Sequence, residues 1–194
     1  VSRSNPKIID GGLSLDDPCD KYVGIDQSYS GFAITVLSAK GTFHTEVFEA
    51  PGRGVDRLSA IQLFIGDLLG ERTTNVKGSA MEGYAYGAQM AHMAGELGGL
   101  VKIELKCWLY YEDNAKYPLI IPPAMLKKYV TGKGQGVKKN QILLSVYKKW
   151  GVEFMDDNAA DSYALARIAA GIADLEYEKE IITKTLDPKY REKP

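Results

Sequence analysis

The spacing of the apolar runs constrains this chain more than any single residue does. Three short runs, residues 22–26, 32–37 and 43–49, follow one another across the tight turns Ser28-Tyr29-Ser30-Gly31 and Ala39-Lys40-Gly41. Strands joined so closely pair antiparallel, as a meander. The chain breaks at Pro51-Gly52-Arg53-Gly54 and then changes rhythm. Residues 56–69 place Leu58, Ile61, Leu63, Ile65, Leu68 and Leu69 close to one helical stripe, with Gly70 as the expected stop. A fourth strand follows at Val76–Glu82, a long helix at residues 87–106, and a fifth strand at Leu119–Ile121, stopped by Pro122 and Pro123. Further helices are expected over residues 123–130, 138–150 and 157–173. Gly95, Gly98 and Gly99 weaken the long helix and imply close packing against a neighbour.

Strands separated by helices pair in parallel through right-handed crossovers. The expected fold is therefore α/β: a mixed five-stranded sheet, three strands antiparallel and then two parallel, with helices on both faces. That is the outline of a ribonuclease-H-like fold. Residues 1–20 lack periodicity and are expected to be a flexible arm, residues 21–173 the folded domain, and residues 174–194 a C-terminal helix or tail. A length of 194 residues suits one such domain. No apolar run approaches the roughly 20 residues of a membrane helix, and the first residues lack the apolar core of a secretion signal. Cys19 and Cys107 stand in no metal-type spacing. A cytoplasmic protein without membrane contact is the expectation.

Carboxylates stand where these elements end or begin. Asp26 closes the first strand of the meander, Glu82 closes the fourth strand, and Asp157 and Asp161 lie in the first turns of the last clear helix. Asp157 and Asp161 are four residues apart and share a helical side. If the first and fourth strands are neighbours and the helix packs over their ends, these acids share one small volume. Bare, they raise each other's pKa values; a divalent cation removes the conflict. Taken singly, Asp26 also suits a turn former and Asp157 a helix cap, worth about 1 kcal/mol. Together they point to a metal-dependent nuclease. His44 and His92 have no triad context and fit structural or solvated roles.

Net charge is −1, which excludes a globally basic nucleic-acid binder. Charge is nonetheless segregated. Residues 116–152 contain no Asp or Glu but hold Lys116, Lys127, Lys128, Lys133, Lys138, Lys139, Lys148 and Lys149. That window suits either a phosphate-binding face or a solvated one-signed surface. The loop 131–136, TGKGQG, adds open backbone N–H groups beside Lys133; it is either a phosphate contact or a connector. Tyr84 and Tyr86, just after Glu82, either stack on an unpaired base or fill the core.

The chain also resembles RuvC-like Holliday junction resolvases. The run YVGIDQSYSGFA from Tyr22 resembles their opening strand and turn, and AMEGY from Ala80 their second acidic motif. IPPAMLKKYVTGKG from Ile121 resembles the segment before their basic loop, KKNQ from Lys138 the helix after it, and DNAADSYALA from Asp157 the last acidic helix. The match covers residues 21–173 in the family's order. The wording EGYAYG from Glu82 and GELGGL from Gly95 is closer to bacteriophage members.

The resemblance implies metal binding and catalysis by Asp26, Glu82 and Asp161, with Lys127 and Lys138 near the scissile phosphate. The family's acid three residues before the last Asp is replaced here by Asn158. Asp157 is the expected substitute, with Asn158 as a neutral alternative ligand. Lys128, Lys133, Lys139, Tyr84 and Tyr86 complete the expected DNA contacts. The implied cofactor is Mg²⁺, with Mn²⁺ able to substitute. The implied partners are a four-way DNA junction and a second copy of the chain, meeting through residues 87–106. Two other outcomes stay open: a less selective nuclease of flaps, forks or packaging intermediates, and a non-catalytic junction binder. The opening VGID also resembles actin-like ATPases and sugar kinases. The length and the lack of a repeat argue against these, and no nucleotide cofactor is expected.

Overall fold

The structure, a computed structural model, describes residues 5–83, 91–109 and 117–191. Its strands are β1 (Lys7–Gly11), β2 (Lys21–Asp26), β3 (Phe32–Ser38), β4 (Phe43–Phe48), β5 (Val76–Glu82) and β6 (Leu119–Ile121). Its helices are α1 (Gly54–Ile65), α2 (Ala91–Leu109), α3 (Pro123–Thr131), α4 (Lys139–Trp150), α5 (Asp157–Ala169) and α6 (Glu176–Thr185). The strands form one sheet in the order β1-β4-β3-β2-β5-β6. β2, β3 and β4 are the antiparallel meander, and β2–β5 and β5–β6 pair in parallel.

The sheet has six strands where the sequence pattern predicts five. β1 comes from the segment expected to be a flexible arm and pairs antiparallel with β4, Lys7 opposite Val47 and Gly11 opposite Phe43. Its side chains are mostly exposed, so the local pattern carries no burial signal. The pairing comes instead from the open edge of β4. The following loop is also tied down. Leu13 is buried, and the buried Lys21 ammonium donates to the carbonyl oxygens of Asp17 and Thr74.

Alternation along β2 sets the two cores. Val23 and Ile25 belong to the face covered by α1 and α2, with Ile61, Ile65, Leu97 and Val101. The opposite face carries Ala33, Leu37 and Ala80 under α5, with α3, α4 and α6 around it. Fully burying one such aliphatic side chain stabilises by about 1.5–3 kcal/mol. The α5 helix sits close against the sheet. A Cβ on Gly24 would lie 2.0 Å from the Ser162 carbonyl oxygen and 2.2 Å from the Ala166 nitrogen. Ala159, Ala160, Ala164 and Ala166, all buried, permit the same approach from the helix side. A buried hydroxyl chain ties the layers, Ser162 to Thr35 at 2.8 Å and Thr35 to Thr45 at 2.7 Å.

Two other local expectations change. Gly70 does not stop the first helix; the chain continues as a π-helical turn over Gly66–Arg72. There Gly70 seats the Trp108 ring of α2, since a Cβ would come within 2.6 Å of it. Gly95 and Gly99, expected in close packing, have nothing among the described residues within 4 Å of an added Cβ. The C-terminal stretch forms α6, docked against α3 and α4 by buried Ile181 and a Glu178–Lys149 ion pair.

Candidate functional site

Parallel pairing of β2 and β5 places Ile25 opposite Met81. The next residues are Asp26 and Glu82, so the two acids leave neighbouring strands at the same edge. The N-terminal end of α5 lies at this edge. Asp156 is its N-cap, accepting hydrogen bonds from the backbone N–H groups of Asn158 (2.8 Å) and Ala159 (3.4 Å). Asp157 is therefore not the cap. Its carboxylate instead forms an ion pair with Lys139 at the start of α4. Asp161 follows one turn later and is half-buried.

The electrostatics follow from burial without enough compensating charge. Asp26 is 6% exposed. Burial drives its pKa well above the ordinary carboxylate range, and the fields of Glu82, Asp161, Asp157 and Asp156 add to the rise. Burial raises Glu82 as well, opposed by Lys127. Asp161 is pushed up to about 7 by burial and by Glu82 and Asp157, against the pull of Lys127 and Lys139. Among the described residues, its Oδ1 is buried without a hydrogen-bond partner. A buried polar atom with no partner costs about 1–3 kcal/mol, and such atoms are rare in native folds.

An all-oxygen donor set with raised pKa values, an unpartnered buried oxygen and flanking lysines fits a hard divalent cation. Among the described residues, no three Asp, Glu, His or Cys side chains converge in finished ligand geometry. The acids are thus neighbours through their fields, on elements that hold them at one edge.

The lysine window divides by position. Lys127 on α3 and Lys139 on α4 act on the acids. In return, the Asp157 hydrogen bond and the fields of Asp157, Asp161 and Asp26 raise the Lys139 pKa. Lys138, expected with Lys127 near the scissile phosphate, is the N-cap of α4, its backbone N–H donating to Gln141 Oε1 at 2.8 Å. Lys128 turns to Glu180 on α6 at 2.9 Å. Lys149 donates to the last carbonyls of α3, at Tyr129 and Val130, and pairs with buried Glu178. Lys133 lies in the loop after α3, whose first glycine, Gly132, takes a left-handed φ of 78°. Tyr84 and Tyr86 lie outside the described residues. The Asn158 amide lies against Gly31 in the turn after β2, where a Cβ would sit 2.5 Å from its Nδ2. His44 pairs with Glu46 in β4, and His92 is exposed on α2.

Two residues escape a reading of the sequence. Asp156 adds to the field on Asp26, and it does leave a signal: an Asp one residue before a helix, two before the N–H it caps. Gln27 leaves no local signal, since a glutamine after a strand resembles any turn residue. Its Nε2 donates to the Glu82 carbonyl oxygen at 2.6 Å, and its Oε1 is buried without a partner among the described residues.

No protein-family model matches the chain, and no curated protein is significantly similar to it. Solved structures do resemble it. One is the RuvC structure from Thermus thermophilus, at 20% identity and a TM-score of 0.58, covering 74% of this chain and 89% of that one. Another is T. thermophilus RuvC in complex with a Holliday junction substrate, at 19% identity and a TM-score of 0.59, covering 74% and 88%. The fold is ribonuclease-H-like, a mixed α/β sheet with helices on both faces.

Proposed function

We propose that this chain is a metal-dependent endonuclease of the RuvC-like, bacteriophage-type kind, resolving four-way DNA junctions by phosphodiester hydrolysis. The observation that carries the proposal is the unpartnered, buried Asp161 Oδ1 beside two further acids of raised pKa. A fold does not assign a function, but a site of this chemistry on this fold supports one. The neighbour bound to a Holliday junction supports the substrate class.

Asp26, Glu82 and Asp161 would hold the ion, with Asp157 as the fourth acid and Asn158 turned toward the Gly31 turn. Mg²⁺ suits these oxygens, with Mn²⁺ as a substitute. When bound, a pair of such ions supplies water activation and stabilisation of the leaving 3′-oxygen. The chain's own residues do the rest. Lys127 and Lys139 balance the acids and offer charge to the scissile phosphate. Lys138, Lys128 and Lys133 extend that charge along the DNA backbone, with Tyr84 and Tyr86 as candidates for stacking on unpaired bases.

A second copy of the chain matches the two equivalent strands of a junction. The exposed Ile103 and Trp108 of α2, with open Gly95 and Gly99, suit that contact. The protein would act in the cytoplasm, of a host cell if phage-encoded.

The test is cleavage of a synthetic four-way junction, a flap and a linear duplex, each with and without Mg²⁺. Metal-dependent cutting of the junction, abolished by Asp26→Asn with binding retained, is the expected result. Tight binding with no cutting in Mg²⁺ or Mn²⁺ would make this a junction-binding protein. Equal cutting of all three substrates would make it a less selective nuclease.

A further inference from the structure

Gln27 follows Asp26 directly and leaves the end of β2. Its Nε2 donates to the main-chain carbonyl oxygen of Glu82, 55 residues away, at 2.6 Å. This bond settles which way the amide faces: flipped, two carbonyl oxygens would meet. The Gln27 Oε1 therefore faces away from the Glu82 carbonyl. It is buried and, among the described residues, has no hydrogen-bond partner. A carboxamide that satisfies its donor end and buries its acceptor end alone bears a desolvation cost with nothing in return. Such an atom calls for a donor from outside the chain, an ordered water or a water held by a bound ion.

We infer that Gln27 is a positioning residue for the metal-bound state, clamping the β5 end at Glu82 to the β2 end at Asp26 and offering Oε1 to a water of the hydrated cation. The inference rests on the proposed metal site. It assigns the amide two jobs. The Nε2 bond ties together two strand ends whose acids repel each other. The Oε1 gives the ion's water an acceptor. Hydrated Mg²⁺ keeps several waters that need one. Partners of this kind, one step from the ion, set metal affinity by about 10–100-fold.

The experiment measures Mg²⁺ binding to the full chain by calorimetry, without DNA, for wild type, Gln27→Met and Gln27→Ala. Methionine keeps the length and removes both polar ends. Mg²⁺ affinity is expected to fall about 10-fold or more in both variants, with the melting temperature of Gln27→Met in chelator little changed. In parallel, the side-chain amide signal of Gln27 is followed in ¹H–¹⁵N spectra of the wild type, identified by its loss in a variant. It is expected to shift on Mg²⁺ addition with the calorimetric midpoint. That second readout needs no variant to be stable. Wild-type affinity in Gln27→Met, or a Gln27 amide signal that ignores saturating Mg²⁺, overturns the clamp. If the wild type binds no Mg²⁺ and cuts no junction, the proposed metal site itself fails, a separate and distinguishable result.

Discussion

Two buried acid groups in this molecule have opposite electrostatics. On β4, Glu46 is fully buried but shares one oxygen with His44 at 2.7 Å and Arg72 at 2.8 Å. Its hydrogen bonds and charge partners outweigh burial, and its pKa is lowered. At the strand edge, Asp26 is buried and Glu82 and Asp161 are half-buried, yet their pKa values rise. The difference is the partner. Glu46 has fixed cationic company inside the chain, which makes it a structural group. The edge acids have lysines acting through their fields, which leaves them chemically poised. Burial alone does not distinguish a core carboxylate from a candidate reactive one; the direction of the shift supports the distinction.

The sharpest way to break this contrast is to neutralise an edge acid. Asp26→Asn is expected to lower junction cleavage by on the order of 10³-fold. In chelator the same variant should melt at or above the wild-type temperature, because a repelled buried charge has gone. A variant that melts lower and still cuts would reverse the assignment. Removing the partner from the other group should act on stability alone. Arg72→Met leaves Glu46 with His44 only, and chemical denaturation should show a loss of about 2–3 kcal/mol. That is below the range for a fully enclosed pair, since the Arg72 side chain is 35% exposed.

The pH dependences should then run in opposite directions. Above about pH 4 the unfolded chain has shed the Asp161 proton, while the folded chain keeps it up to about pH 7. The metal-free protein therefore loses stability as pH rises through that window. Its melting temperature should drop, by roughly 2–4 °C for each kcal/mol lost at this size. Mg²⁺ should restore more stability above that window than within it. Glu46 works the other way: its contribution is present above the unfolded carboxyl pKa and is lost as pH falls through its lowered folded value. Asp161→Asn should flatten the first dependence and leave the second. The smallest effect is expected for Lys139→Ala. The side chain is 80% exposed, so its ion pair with Asp157 contributes at most about 0.5 kcal/mol to stability. Junction binding measured against salt should nevertheless lose about one unit of slope.

The meander, the parallel crossovers and the strand ends at Asp26 and Glu82 are legible in the sequence because their signals are local: apolar runs, tight turns, prolines after β6. Strand β1 is not, because its residues are mostly exposed and its pairing depends on β4, across two intervening strands of the chain. Gly70 misleads for a related reason. A glycine that ends a helix and a glycine that seats Trp108 are identical in sequence, and only the ring distinguishes them. Among the lysines, composition marks the window. It does not separate Lys139, which reaches Asp157, from Lys128, which turns to Glu180 on α6.

The sequence by itself determined which residues could enter the site. Acids close two strands and open one helix, and the alternation within each run decides which faces are buried. Only the tertiary structure decided how those acids behave. The close seat of α5 on Gly24 and the Gln27 bond to Glu82 are contacts between distant segments. The Asp156 cap leaves Asp157 open to Lys139 on another helix. Carboxylate pKa values depend on burial and neighbouring charge, and both arise only when those segments meet.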